Sequence, residues 1–230
     1  MAYRYLVVIP AYNEAATIEE VARSAQQYAD VCVVDDASRD ETADIVSSIP
    51  DVHCIRHKRN THIPQTTLDG MRYGYEQGYD FCITMDAGMS HDPNAIPAFQ
   101  ERSDADLVIG CRQRKIDVPR YRRALSWSGN RLLNLTMNQR FVPWGGAGLS
   151  DCTSGYRMFS RVAVDLLLRS SLRSRSFDFH LESLTFVYRH GLKIVEIPIV
   201  YRHTGSSLRW NVVGHALQTC FRLHRGSWRP

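Results

Sequence analysis

The first half of the chain alternates short runs rich in apolar residues with segments whose apolar positions recur every three or four residues. "YRYLVVIP", "VCVVDD", "VHCIRH", "DFCITMD" and "DADLVIG" are runs of the first kind. Each reads as a strand, and the nearly continuous apolar character of "YRYLVVIP" is what a sheet buried on both faces needs. Between the first two runs, Ile18, Val21, Ala22 and Ala25 share one helical face. Their spacing predicts a helix from Glu14 to about Tyr28, with Asn13 as its cap. "DETADIVSSI" and "QTTLDGMRYGYEQG" predict two more helices, the second ended by Gly78. "PNAIPAFQER" joins the fourth strand to the fifth. Such alternation specifies an α/β, Rossmann-like fold with a mostly parallel central sheet.

After residue 111 the pattern changes. "YRRALSWSGNRLLNLTMNQ" reads as a helix, and "VPWGGAGLSDCTSGYR" as a glycine-rich turn region with no period. "RVAVDLLLRS" and "DFHLESLTFVYRHG" are helical, and "KIVEIPIVYR" is a strand. "LRWNVVGHALQTCFRLHR" is a last, amphipathic helix with Val213, Ala216, Leu217, Cys220 and Phe221 on one side. Neither repeats nor low-complexity linkers interrupt the chain, so residues 1–230 read as one domain.

Composition narrows the picture. No run reaches 18 apolar residues, which argues against a spanning helix. The opening apolar run passes directly into "NEAATIEE", as a first strand would and a signal peptide would not. The six cysteines include no Cys-x-x-Cys pair. Cys32, Cys54, Cys82 and Cys111 fall in or beside strands, where they read as small buried hydrophobes in a reducing, cytoplasmic setting. The net charge of +4 is uneven: Arg112, Arg114, Lys115, Arg120, Arg122 and Arg123 crowd one stretch against the single acid Asp117. That stretch reads either as a solvated loop or as an anion-binding patch for phosphates or an acidic membrane face. Aromatic residues do not interleave with it, so nucleic acid is not expected.

In an open parallel sheet, ligands bind beyond the carboxyl ends of the strands. Glu14 follows the first strand, Asp35 and Asp36 end the second, and Asp86 ends the fourth. Acids at three such places suit a ligand with a base and a ribose, whose N–H and hydroxyl groups need acceptors.

"VVIPAYNE", "VVDDASRDET" and "MDAGMSHDP", in this order, resemble the nucleotide-binding half of family 2 glycosyltransferases of GT-A fold. "RRALSWSGNRLLN", "DCTSGYRMF", "FDFHLE" and "VEIPIVYRHTGSS" resemble dolichol-phosphate mannose synthases and related polyprenyl-phosphate glycosyltransferases. The resemblance covers almost the whole chain, and implies a nucleotide-binding half over 1–110 and an acceptor-binding half over 111–230. It implies an inverting transfer from a nucleotide-diphosphate sugar to a polyprenyl phosphate, with Mg²⁺ or Mn²⁺ as cofactor and peripheral contact with the cytoplasmic membrane face.

By the same resemblance, Pro10, Ala11, Tyr12, Glu14 and Asp35 line the nucleotide, and Asp36 accepts from its base. Asp86, beside Gly88, faces the ribose–diphosphate region and any metal. Arg112, Arg122 and Ser126 hold the acceptor phosphate, and Arg202 with the "GSS" loop covers the donor diphosphate. Glu182 lies near the sugar pocket. Asp151, Ser154 and Arg157 read equally as a tight turn held by side chains.

Three positions depart from the family pattern. Gly88 stands where a second acid usually completes Asp-x-Asp. His62 and Pro64 stand where glycines are usual, and Leu208, followed by Arg209, where a lysine is expected. A single carboxylate can still serve Mg²⁺, because phosphate oxygens and water complete its shell. Arg112, Arg122, Arg202 and Arg209 can also supply positive charge without metal. Ser90 and His91 could add a ligand, although His91 reads more simply as a turn residue. Trp127, Trp144 and Trp210 read as core packing or as membrane anchors. Two alternatives stay open: transfer to a soluble or polysaccharide acceptor, and a non-catalytic nucleotide-sugar-binding homologue.

Overall fold

The structure, a computed structural model of the chain, describes residues 3–116, 130, 131, 134, 148–202, 214 and 218–223. Seven strands form one sheet in the order β3-β2-β1-β4-β6-β5-β7. They are β1 (Tyr5–Ala11), β2 (Asp30–Asp35), β3 (Val52–Arg56), β4 (Phe81–Thr84), β5 (Leu107–Ile116), β6 (Arg157–Ser160) and β7 (Ile194–Arg202). β1 pairs in parallel with β2 and β4, β2 with β3, and β5 with β7. Only β6 runs the other way, between β4 and β5.

Both faces of the sheet are covered. One face packs against α1 (Ile18–Gln26), α2 (Thr42–Ser47) and α4 (Ile96–Gln100), with Val7, Ile9, Val33, Ile83 and Phe99 fully buried between them. The other meets α3 (His62–Glu76), α5 (Arg161–Arg169) and α6 (Phe179–Arg189) over Leu6, Val8, Met71, Phe159 and Leu184. Gly70 shows how close α3 lies to the sheet: a Cβ there would stand 2.3 Å from Val8 Cγ1. A glycine costs helix stability, and here it permits that contact.

Among the described residues the expected strands and helices form, with four differences, while most of the helices expected in "YRRALSWSGNRLLNLTMNQ" and "LRWNVVGHALQTCFRLHR" lies outside those residues. Asn13 does not cap α1. Its φ of 55° is left-handed, and its Oδ1 accepts from Arg39 N at 2.8 Å, so the helix starts later, at Ile18. The basic stretch is not wholly a loop, because β5 continues through Arg112 and Arg114 to Ile116 by pairing with β7. The glycine-rich region ends in β6, which the pattern does not predict. His91 is not a simple turn residue: it is 3% exposed, stacks on Tyr156 and bridges to Tyr201 of β7.

All six cysteines are free, five of them buried. Burial pushes the Cys32 and Cys82 thiols up to about 12, which suits packing rather than reactivity. Arg122, Ser126, Trp127, Trp144, Leu208, Arg209, Trp210 and the "GSS" loop lie outside the described residues. No helix among the described residues is long and apolar enough to cross a membrane.

Candidate active site

The carboxyl ends of β1, β2, β4, β5 and β7 share one edge of the sheet, and Asp86 stands on it just past β4. Its side chain is 49% exposed. Its backbone N–H donates to His91 Nδ1 at 3.1 Å, which leaves the ring proton on Nε2, 3.7 Å from the Asp86 carboxylate. Burial holds His91 below the usual imidazole range, against the pull of Asp86, so the ring faces the acid as a neutral donor. Arg202 N meets Ser90 O at 3.4 Å, which ties the end of β7 to the same turn.

Glu14 approaches Asp86 from β1. Its carboxyl is raised above the ordinary range, mainly by burial, with the Asp86 and Asp40 charges adding and a Thr17 hydrogen bond opposing. Thr17 Oγ1 lies within reach of Glu14 Oε2 (3.2 Å) and Ala87 O (3.0 Å), which links the two acidic turns. Pro10 and Ala11 close β1 opposite Val34 and Asp35. Tyr12, 41% exposed, leaves its ring open to a planar ligand.

The two acids after β2 are spent differently from the sequence expectation. Asp35 is fully buried and accepts from Ser38 N, with Arg56 Nε at 3.5 Å. Asp36 is 4% exposed. Its Oδ1 accepts from His57 Nδ1 (2.8 Å), Thr61 N (2.7 Å) and Thr61 Oγ1 (2.9 Å), and its Oδ2 from His62 N (2.8 Å). Burial raises this carboxyl, but those bonds outweigh burial and hold it below the usual range. Asp36 therefore anchors the start of α3, where His62 sits at a φ of 66°. Oδ2 alone keeps capacity for one more donor.

Arg112 lies on β5 facing the same edge. Its Nε and Nη2 fork onto Asp151 at 2.6 and 2.7 Å, Nη2 also reaches Thr153 Oγ1, and the guanidinium stands 5.3 Å from the Tyr201 ring. Burial would lower its pKa, but the Asp151 bonds and the charges of Asp151 and Asp86 raise it. Glu196 of β7 fixes the turn by accepting from Ser150 N and Asp151 N.

Arg157, fully buried, donates to the carbonyls of Cys152, Ser154 and His180, and burial lowers it to about 10. "DCTSGYR" is thus a turn braced by a cation at each end. It sets Gly155 against the site: a Cβ there would lie 3.0 Å from His180 Nε2 and 3.6 Å from Asp86 Oδ1. Glu182 is fully buried and holds Arg173 N, Ser174 N and Arg222 Nη2.

The structure thus brings Glu14, Asp86, Arg112 and Arg202 to one edge and puts Pro10, Ala11 and Tyr12 beside them. Asp35 and Glu182 face the interior. Sequence reasoning passed over Gly155 and His180; "SG" before a buried arginine and the histidine inside "FDFHLE" were the available signals.

Gly88 leaves its side of the site open, since a Cβ there meets nothing within 4 Å and its φ is not left-handed. Among the described residues no group of three His, Cys, Asp or Glu side chains is arranged to hold a metal ion. One exposed carboxylate fits a divalent ion only if diphosphate oxygens and water complete the shell.

An open acid that feels the Arg112 charge, at the carboxyl edge of a mixed α/β sheet, stands where enzymes of this architecture bind nucleotides. Residues 6–167 match the model for glycosyl transferase family 2, and the chain belongs to that family. An undecaprenyl-phosphate mannosyltransferase of Micrococcus luteus is 31% identical over 93% of this chain and 91% of its own. A polyprenol monophosphomannose synthase of Mycolicibacterium smegmatis is 30% identical, over 90% and 83%. A UDP-N-acetylglucosamine–dolichyl-phosphate N-acetylglucosaminyltransferase of Methanococcus voltae is 27% identical, over 88% and 87%. Among solved structures, glucosyl-3-phosphoglycerate synthase from Mycobacterium tuberculosis, in complex with Mn²⁺, uridine-diphosphate-glucose and phosphoglyceric acid, is similar at a TM-score of 0.72 and 17% identity. That match covers 97% of this chain and 80% of the other, and the likeness is one of GT-A fold. The chain is accordingly a glycosyltransferase.

Proposed function

We propose that this enzyme transfers a sugar from a nucleoside-diphosphate sugar to a polyprenyl phosphate at the cytoplasmic membrane face. The observation that carries the reading is the exposed Asp86 carboxylate, near enough for its charge to act on Arg112 and set on the turn that meets Arg202, in a chain whose relatives over nearly its full length are named for transfer to such lipid phosphates.

The lipid phosphate is already ionised at neutral pH, so it needs no general base. One of its oxygens attacks the anomeric carbon, the bond from that carbon to the diphosphate breaks, and the nucleoside diphosphate leaves with the electron pair. Configuration inverts because attack comes from the face opposite the leaving group. The protein's work is to hold two anions at close range and stabilise the departing charge. Tyr12, Pro10 and Asp36 Oδ2 bind the base and Glu14 the ribose, while Arg202 meets the diphosphate. Arg112 takes the acceptor phosphate, exchanging part of its Asp151 fork for phosphate oxygens of the same planar geometry. Arg122 and Ser126 complete that acceptor site. Asp86 would hold a divalent ion, which when bound neutralises the diphosphate.

The test is incubation with labelled nucleotide sugars, with and without polyprenyl phosphate. Label in the lipid fraction only when polyprenyl phosphate is present is the expected result. Label in a soluble or polysaccharide product would move the acceptor, and nucleotide binding without turnover would make the chain a binder.

A further inference from the structure

The segment between α5 and α6 has no part in the chemistry above, and its construction is unusual. β6 runs from Arg157, opposite Thr84, to Ser160, opposite Phe81. The chain therefore turns at the far edge of the sheet, and α5 brings it back to the edge that carries Asp86. There the segment from Ser170 to Asp178 is locked from inside. Glu182 accepts from Arg173 N and Ser174 N, and Asp178 accepts from Arg175 N and Ser176 N. Four successive N–H groups face two buried carboxylates.

The two arginine side chains lie on the outside. Arg173 and Arg175 are exposed, and among the described residues neither guanidinium has an ion-pair or hydrogen-bond partner. Phe177 is 38% exposed. The same two acids also hold the helical residues 218–223, through Thr219 Oγ1 to Asp178 at 2.9 Å and Arg222 Nη2 to Glu182 at 2.8 Å. That helix places Phe221, 57% exposed, on the same unit. The unit borders the active site: the Phe177 ring lies 6.3 Å from that of His180, and His180 meets Gly155 beside Asp86.

We propose that Arg173, Arg175, Phe177 and Phe221 form a docking surface for an anionic lipid bilayer. The inference rests on the acceptor reading above, because a lipid phosphate enters the site from a membrane. Unpaired cations next to exposed aromatic rings suit the boundary between headgroups and acyl chains. A locked backbone keeps these groups in place without an ordering cost on contact. The position is a rim of the site, so docking there presents the catalytic edge to the headgroups.

The full chain is sedimented with vesicles of phosphatidylcholine alone or mixed with phosphatidylglycerol, as wild type, R173S/R175S and R173K/R175K. Each basic residue near an anionic surface contributes about 1 kcal/mol, so the serine pair should bind mixed vesicles about thirtyfold more weakly. The lysine pair should bind like wild type, since the bilayer reads charge rather than a fork. Unchanged binding in the serine pair, equal loss in the lysine pair, or no preference of wild type for mixed vesicles would overturn the proposal. Thermal midpoints matching wild type exclude a folding defect. Transfer to polyprenyl phosphate held in vesicles should fall in the serine pair, while transfer to a short, water-soluble polyprenyl phosphate stays. Wild type that serves neither acceptor refutes the acceptor reading, and vesicle binding still decides the surface.

Discussion

The Arg112–Asp151 fork joins the catalytic edge to the turn before β6, and a double-mutant cycle measures it. Asp151 is 5% exposed and accepts two side-chain bonds from Arg112, at 2.6 and 2.7 Å. Arg112→Ala removes both, while the residue 112 N–H, Thr153 N and Thr153 Oγ1 still donate to the carboxylate. Charged hydrogen bonds contribute about 1.5–3 kcal/mol each, and stranding one partner of a buried pair costs about 3–5 kcal/mol. The donors that remain favour the lower end, so about 3 kcal/mol is expected. Asp151→Ala leaves a mostly buried guanidinium with Thr153 and the Tyr201 ring, for a similar loss. The double variant strands no charge and should lose about 3 kcal/mol less than the sum of the singles. Urea unfolding supplies each free energy. Singles that add to the double within about 0.5 kcal/mol would refute the argument, since uncoupled residues behave that way. At saturating donor, Arg112→Ala should also slow transfer more than Asp151→Ala, because only the first removes a phosphate ligand.

Gly88→Asp adds a second carboxylate where a Cβ meets nothing within 4 Å. It should tighten the Mn²⁺ dependence of nucleotide binding, read by calorimetry, and an unchanged metal titration would place the nucleotide's phosphates elsewhere. Asp36→Ala strands four donors and should cost about 1–3 kcal/mol in both stability and nucleotide affinity; full affinity would remove Asp36 from the base site. His180 is held well below its ordinary range by burial first and then by the Arg157 charge. As pH falls below about 6.5 the unfolded chain takes up this proton before the folded one does. Stability is thus complete above that value and declines below it, by up to about 1.4 kcal/mol per pH unit. His180→Gln should flatten urea midpoints measured between pH 6.5 and 5, and an unaltered slope would mean another group titrates there.

The sequence carried β1, β2 and β4 plainly because strands covered on both faces must be apolar at nearly every position. β6 was hidden because it is four residues long and begins with Arg157, whose charge is satisfied only by carbonyls that the fold assembles around it. The continuation of β5 was hidden because "RQRK" pairs through its backbone with β7, which no side-chain pattern announces. Acids at strand ends were visible, but their use was not. Asp86 is open, Asp35 is fully buried, and Asp36 gives all of Oδ1 and part of Oδ2 to donors of the chain itself, and only folded geometry separates these cases.

The antiparallel β6 also orders events during folding. β1 to β4 can pair as soon as residue 84 is made, since each joins a neighbour already present. β5 follows next in the chain but has no place beside β4, whose free edge belongs to β6. Thr84 must therefore wait for Arg157, 73 residues later, and β5 must wait as well, a strand with an apolar first half and both edges unpaired. Pairing over such separations is slow, and an unpaired strand invites association with other chains. Nascent chains stopped between residues 116 and 157 should be the most aggregation-prone of a truncation series, and the catalytic edge, completed by the turn before β6, should be among the last parts of the sheet to form.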